Sequence, residues 1–314
     1  MKCRGRRSTL RPCAPPGSRW SRSTPLLSLL LALSGGQSPA ADAPVFPAEV
    51  EAVKVTVVVS DRRGGWVRGL SREDFRIFED GRPQEVTLFS PGDDLPREGE
   101  EFAVGLLVDT SGSMLRSRER AYQAALRFLQ SVPSGRVRLL ASFEADVRFW
   151  DPARPPDIIL GQMRAASRRQ GPTALYDALD GALQRIGAEA RGAVVVMTDG
   201  EDFGSRTIRR EVLQRIDASH VTLYPIGFRG ESGDSGWTFL EQIARWSGGL
   251  FFDGEKGSFE MLFETIGAEL ASQYVLGYVP ERPQRPGFHR LQVEVVRPGF
   301  HVRHRPGYAI AKPR

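Results

Sequence analysis

Asp109, Ser111 and Ser113 alternate along "DTSGSM" (109–114), one carboxylate followed by two hydroxyls with Gly112 between them. Further along, "GPTALYDAL" carries Thr173 and "AVVVMTDG" carries Asp199. All five side chains offer oxygen, and none offers nitrogen or sulfur. Two anionic and three neutral oxygens suit a hard divalent cation, Mg²⁺, Mn²⁺ or Ca²⁺, rather than zinc or copper. Mg²⁺ takes six ligands and gives up water reluctantly, so one position would stay open to water or to a carboxylate from a partner.

Such a cup exists only if the chain folds these residues together. "FAVGLLV" (102–108) is a continuous apolar run of strand length that ends in Asp109, and "AVVVM" (193–197) is a second run that leads to Asp199. Between 102 and 271, strands of this kind alternate with amphipathic helices. "LRSRERAYQAALRFLQSV" sets Leu115, Tyr122, Leu126, Leu129 and Val132 on one predicted helical face. "ALYDALDGALQRI" does the same with Leu175, Ala178, Leu179, Ala182, Leu183 and Ile186. The alternation predicts an α/β fold, a mostly parallel sheet covered on both faces. In open sheets of this class ligands bind beyond the carboxyl ends of the strands, which is where both aspartates fall.

The flanks read as β-structure. Residues 48–92 include "AEVEAVKVTVVVSD", with Val53, Val55 and Val57 on one face. Two further strands there meet at Asp80-Gly81, a strong hairpin signal. Residues 273–310 return to strands in "QYVLGYVP", "GFHRLQVEVVR" and "FHVRHRPGYAI". These blocks are expected to pair into a small β-sandwich that holds the α/β domain as an insertion. "GDDLPREGEE" (92–101) reads as the linker between them.

Each site fragment alone has a plainer reading. Asp109 and its serines suit a turn and a helix cap, Thr173 suits a cap before Leu175, and T-D-G is a common turn. Taken in order, and at the right ends of strands and helices, they resemble the metal-ion-dependent adhesion site of von Willebrand factor type A domains, whose pattern is D-x-S-x-S, a distal Thr and a distal Asp in T-D-G. The resemblance covers about 102–271. The flanks, "VVVSDRRGGWVRGLSREDFRIFEDGRPQEVTLFS" and "YVLGYVP…RPGY", are similar to a wider group of bacterial exported proteins built around such a domain. It implies a Rossmann-like domain with an apical cation, Mg²⁺ first. Ser111, Ser113 and Thr173 would contact the metal, and Asp109 and Asp199 would bind it directly or through water. It also implies a protein ligand that supplies an acidic residue, and binding rather than catalysis. Glu201 and Asp202 follow closely and read as a solvated turn rather than as added rim charge, so they are left out of the set.

Two rival functions are weighed. A metal-dependent hydrolase would need a second acid or a general base beside Asp109, but Ser111 stands two residues on and the chain's four lysines, at 2, 54, 256 and 312, fall elsewhere in the sequence. A scaffold with a vestigial site would bind no metal. "GDSG" (233–236) lacks the second glycine that follows the serine in trypsin-like proteases, since Trp237 stands there. In "HVRH" (301–304) the spacing turns two strand histidines to opposite faces, a poor metal pair.

Composition bounds the rest. The formal charge of +5 arises in residues 1–40, which hold seven basic residues and no acid; the remainder sums to −2 and gives no nucleic-acid footprint. That leader, with "LLSLLLAL" (26–33) followed by small residues, reads as an export signal cleaved after Ala40, from a start codon that could lie beyond Met1. Its apolar core is too short to span a bilayer, and no later stretch is longer. Both cysteines, Cys3 and Cys13, belong to the leader, so the mature chain is expected to lack disulfides and any thiolate site. The expected location is the periplasm, the cell envelope or the medium, with the oligomeric state left open.

Overall fold

The computed structural model describes residues 52–91, 102–132, 136–167, 171–186, 191–230, 233–280 and 285–310. The expected leader (1–40) and linker (92–101) lie outside these residues. The chain opens with β1 (Val53–Ser60), β2 (Phe75–Glu79), β3 (Arg82–Gln84) and β4 (Leu88–Ser90). The α/β part follows, with β5 (Phe102–Asp109), α1 (Arg118–Ser131), β6 (Val137–Phe143), β7 (Val147–Phe149), α2 (Pro156–Ala166), α3 (Leu175–Ile186), β8 (Arg191–Thr198), α4 (Arg209–Asp217), β9 (His220–Gly227), α5 (Trp237–Ser247), β10 (Phe252–Asp253) and α6 (Phe259–Leu270). The chain then returns to strands with β11 (Tyr274–Tyr278), β12 (Gly287–Val295), β13 (His301–His304) and β14 (Gly307–Ile310).

The central sheet runs β10-β9-β8-β5-β6-β7, with every pair parallel except the antiparallel edge strand β7. Its two central strands, β5 and β8, are mostly apolar because both faces are covered. Val104, Leu106 and Val108 pack with Ala193, Val195 and Met197 beneath α1, α2 and α6. Leu107, Val194 and Val196 pack beneath α3, α4 and α5. Each fully buried side chain of this size contributes about 1.5–3 kcal/mol, so these two layers are what hold β5 and β8 side by side.

The flanking strands form two antiparallel four-stranded sheets, β13-β1-β11-β4 and β14-β12-β2-β3. Both mix strands from before and after the α/β part, and they share one core of Val55, Val57, Phe75, Ile77, Tyr274, Leu276, Leu291 and Val293. The expected sandwich is therefore present. Its hairpin turns at Asp80-Gly81, where φ is 49° and 78°, the left-handed pair that a two-residue turn of this kind requires.

Two arginines near the chain's end fasten the sandwich to the α/β part. Arg303 forms an ion pair at 2.6 Å with the fully buried Glu269 of α6 and donates to the carbonyl of Gly248. Arg305 donates to the carbonyls of Ser219 and Asp217 at 2.8 and 2.7 Å.

The structure corrects the sequence reading in two places. Leu115 does not join the helical face assigned to it; it sits in a 3-10 turn, Ser113–Arg116, and is 53% exposed. The buried face of α1 is Ala121, Tyr122, Ala124, Ala125 and Phe128, with Leu126, Leu129 and Val132 only partly buried, because alanines let the helix lie close to the sheet. The segment that becomes α2 received no element from the sequence. Pro156 occupies its first turn, where a missing N–H costs nothing, and Ile159, Leu160 and Met163 are buried.

Candidate metal centre

The parallel register of β5 and β8 sets Val108 against Met197, so Asp109 and Thr198 leave the sheet side by side. Asp109 is fully buried. Its Oδ1 accepts from the Ser111 backbone N–H at 2.9 Å and its Oδ2 from the Thr198 hydroxyl at 2.6 Å. The chain then turns so that the Ser111 and Ser113 hydroxyls lie 3.1 Å apart. Arg118, at the start of α1, donates to the Thr110 and Ser111 carbonyls at 3.2 and 2.8 Å and pins this turn from outside.

Asp199 is 1% exposed. Its Oδ1 accepts from the Glu201 N–H at 3.1 Å, while its Oδ2 is buried with no hydrogen-bond partner. Gly230 makes this placement possible: a Cβ at that residue would lie 2.2 Å from Oδ2. Gly230 is held by reciprocal backbone bonds with Gly233, at 3.0 and 3.2 Å. Sequence reasoning did not select Gly230; the glycine-rich loop after β9 was the available signal.

Thr173 is buried just before α3. What ties it to the group is its carbonyl, which accepts from the N–H groups of Phe203 and Gly204, both at 3.0 Å. The structure thus gathers Asp109, Ser111, Ser113 and Asp199 closely, and joins Thr173 to them through the loop that follows Asp199. That loop is locked to α3 by two acids. Asp202 accepts from the Tyr176 N–H at 3.0 Å, and Asp177 accepts from the N–H groups of Arg206 and Thr207 at 3.1 and 2.8 Å. Asp202 is therefore a cap supplied from another segment. Glu201 accepts from Ser235 of the "GDSG" segment, which places that serine in a rim hydrogen bond.

The electrostatics are unfavourable without a cation. Burial, then the charge of Asp199, pushes the Asp109 carboxyl up to about 7, against the pull of Ser111 and Thr198. Burial also raises Asp199, and the nearby Ser113 hydroxyl draws it part of the way back. Two buried carboxylates, one with an orphaned oxygen, and a pair of hydroxyls form an all-oxygen donor set that fits a hard divalent ion.

Comparison with known proteins bears on this arrangement. Residues 104–201, which contain all five residues, match the family model described as von Willebrand factor type A domain. No curated protein matches the chain. Among solved structures, an aerotolerance-related membrane protein from Bacteroides fragilis is 18% identical, with a TM-score of 0.43, over 54% of this chain and 98% of that one. BatB from Bacteroides thetaiotaomicron is 19% identical, with a TM-score of 0.40, over 53% of this chain and 97% of its own. A von Willebrand factor type A protein from Catenulispora acidiphila is 14% identical, with a TM-score of 0.44, over 76% and 74%. The similarity to the von Willebrand factor type A domain thus spans residues 104–201 of this chain.

Proposed function

We propose that the chain is an exported binding protein that holds Mg²⁺, or Mn²⁺ or Ca²⁺ in its place, with Asp109, Ser111, Ser113, Thr173 and Asp199, and uses it to grip an acidic residue on a protein partner. The observation that carries this reading is the buried, unpartnered Oδ2 of Asp199 beside the buried Asp109. When bound, the cation supplies positive charge to the two aspartates and a coordination position to the partner. The chain's own residues do the rest. Thr198 and the Ser111 N–H fix the rotamer of Asp109, Gly230 leaves room for Asp199, and Arg118 holds the serine turn. Both Asp109 oxygens already accept hydrogen bonds from the protein, which supports a reading of binding over turnover. Among the described residues no helix is long and apolar enough to cross a membrane.

The test is calorimetric titration of the chain with Mg²⁺ beside its Ser111→Ala/Ser113→Ala variant. Saturable binding lost in the variant supports the reading. Equal heats from both, or no heat from either, refute a cup built on these hydroxyls.

A further inference from the structure

A second cluster of ligand atoms lies in the sandwich, away from the apical residues. Glu79 ends β2, Asp80 is the first residue of the hairpin turn, and His289 lies on β12, which pairs with β2. His289 Nδ1 stands 3.0 Å from Asp80 Oδ2 and 3.4 Å from Glu79 Oε1, and the three ligand atoms lie within 4.8 Å of one another. Ligands of a tetrahedral ion with bonds of about 2.0–2.2 Å stand about 3.3–3.6 Å apart, so the 3.4 Å edge is of the size a bound zinc ion sets and the 3.0 Å edge is about 0.3 Å short of it.

Each member is oriented by a partner outside the three. His289 Nε2 lies 2.7 Å from the carbonyl of Arg285, which can only accept, so Nε2 carries the hydrogen and Nδ1 faces the carboxylates. Glu79 accepts from the Tyr308 hydroxyl, and Tyr308 also stacks on the imidazole with ring centroids 5.4 Å apart. Asp80 Oδ1 accepts from the Arg290 N–H at 2.9 Å. Metal-ligating histidines and carboxylates are held in this way, through a backbone carbonyl, a hydroxyl or an N–H. A further observation points inward. The fully buried Tyr278 sets its hydroxyl beside Tyr308 and Glu79, behind the cluster.

A nitrogen lone pair cannot face two carboxylates without a positive species between them. A proton on Nδ1 reaches Asp80 at 3.0 Å, while Glu79 Oε1, 3.4 Å away, has the Tyr308 hydroxyl as its hydrogen-bond donor. A metal ion at the centre takes all three. We propose that Glu79, Asp80 and His289 bind a borderline divalent cation, Zn²⁺, and that this ion staples the hairpin tip to β12. One imidazole with two carboxylates selects zinc over magnesium, the reverse of the all-oxygen apex. Asp80, half exposed, leaves the fourth position open to water or to an outside donor.

The experiment is titration of the full chain with Zn²⁺ under saturating Mg²⁺, with Cys3 and Cys13 replaced by serine to remove other soft ligands. One equivalent of Zn²⁺ is expected to bind. It is lost in His289→Gln, weakened about tenfold or more in Tyr308→Phe, and unchanged in His301→Gln, an exposed histidine outside both clusters. Asp80→Asn, which tolerates the left-handed turn, gives the same loss should His289→Gln fail to fold. Absence of a one-equivalent binding event, or its survival in both His289→Gln and Asp80→Asn, overturns the site.

Discussion

The Thr198 hydroxyl donates to Asp109 Oδ2 at 2.6 Å, and both residues are fully buried. The same hydroxyl oxygen accepts from the Gly200 N–H at 3.1 Å, so one side chain joins the end of β5 to the turn that presents Asp199. Thr198→Val keeps the shape and removes both bonds, leaving a buried carboxylate oxygen unpaired. The expected cost is about 1–3 kcal/mol, read from the urea midpoint of the cation-free chain. A midpoint equal to wild type would mean the bond contributes nothing.

Asp109 also gives a pH dependence with a defined sign. Its carboxyl is held up at about 7 in the folded chain, against about 3.9 when unfolded. Between these values the folded chain keeps a proton that the unfolded chain has released. The contribution of Asp109 to the stability of the cation-free chain is therefore fully present below about pH 4, falls as pH rises toward about 7, and levels off above it. Thermal midpoints in EDTA should be lower at about pH 8 than at about pH 5, and saturating Mg²⁺ should raise the midpoint most at the higher pH. A midpoint that rises with pH in EDTA would contradict the assignment.

Gly230 is predicted to be required for the site although it has no side chain. In Gly230→Ala the new methyl falls 2.2 Å from Asp199 Oδ2, and either the carboxylate or the loop must move. Mg²⁺ affinity should drop by about tenfold or more, as for other residues that support ligands, with the far-ultraviolet circular dichroism unchanged. Wild-type affinity in this variant would show that Asp199 does not need its observed position.

Arg303→Ala tests the attachment of the sandwich. Glu269 is fully buried, and besides Arg303 it meets the Tyr224 hydroxyl at 2.7 Å. Removing the arginine leaves a buried carboxylate without its countercharge, which costs about 3–5 kcal/mol in chemical denaturation. A loss below about 1 kcal/mol would place the attachment in apolar packing instead.

Much of this was legible in the sequence because the deciding signals are local. "FAVGLLVD" and "AVVVMTD" announce strands buried on both faces with an aspartate at the exit, and Asp80-Gly81 announces its own turn. The pairing of the two flanks followed from their composition and chain order. Long-range geometry was not legible. Thr198 reads as part of a turn until the register places it against Asp109, and Gly230 has significance only because β9 ends opposite Asp199. Leu115 misled because a 3-10 turn interrupts the helical period before α1 begins. Asp202 reads only as part of a solvated turn because a cap supplied from another segment leaves no periodic trace. His289 and Glu79 lie too far apart in sequence for spacing to connect them.

The most direct measurement of the central claim is electron paramagnetic resonance of Mn²⁺ titrated into the wild-type chain and into Asp109→Ala and Asp199→Ala, with Mg²⁺ as competitor. The account predicts one bound Mn²⁺ per chain that Mg²⁺ displaces and that both variants lose while keeping their fold. Mn²⁺ that stays free in the presence of wild type, or that binds the two variants as it binds wild type, would contradict it.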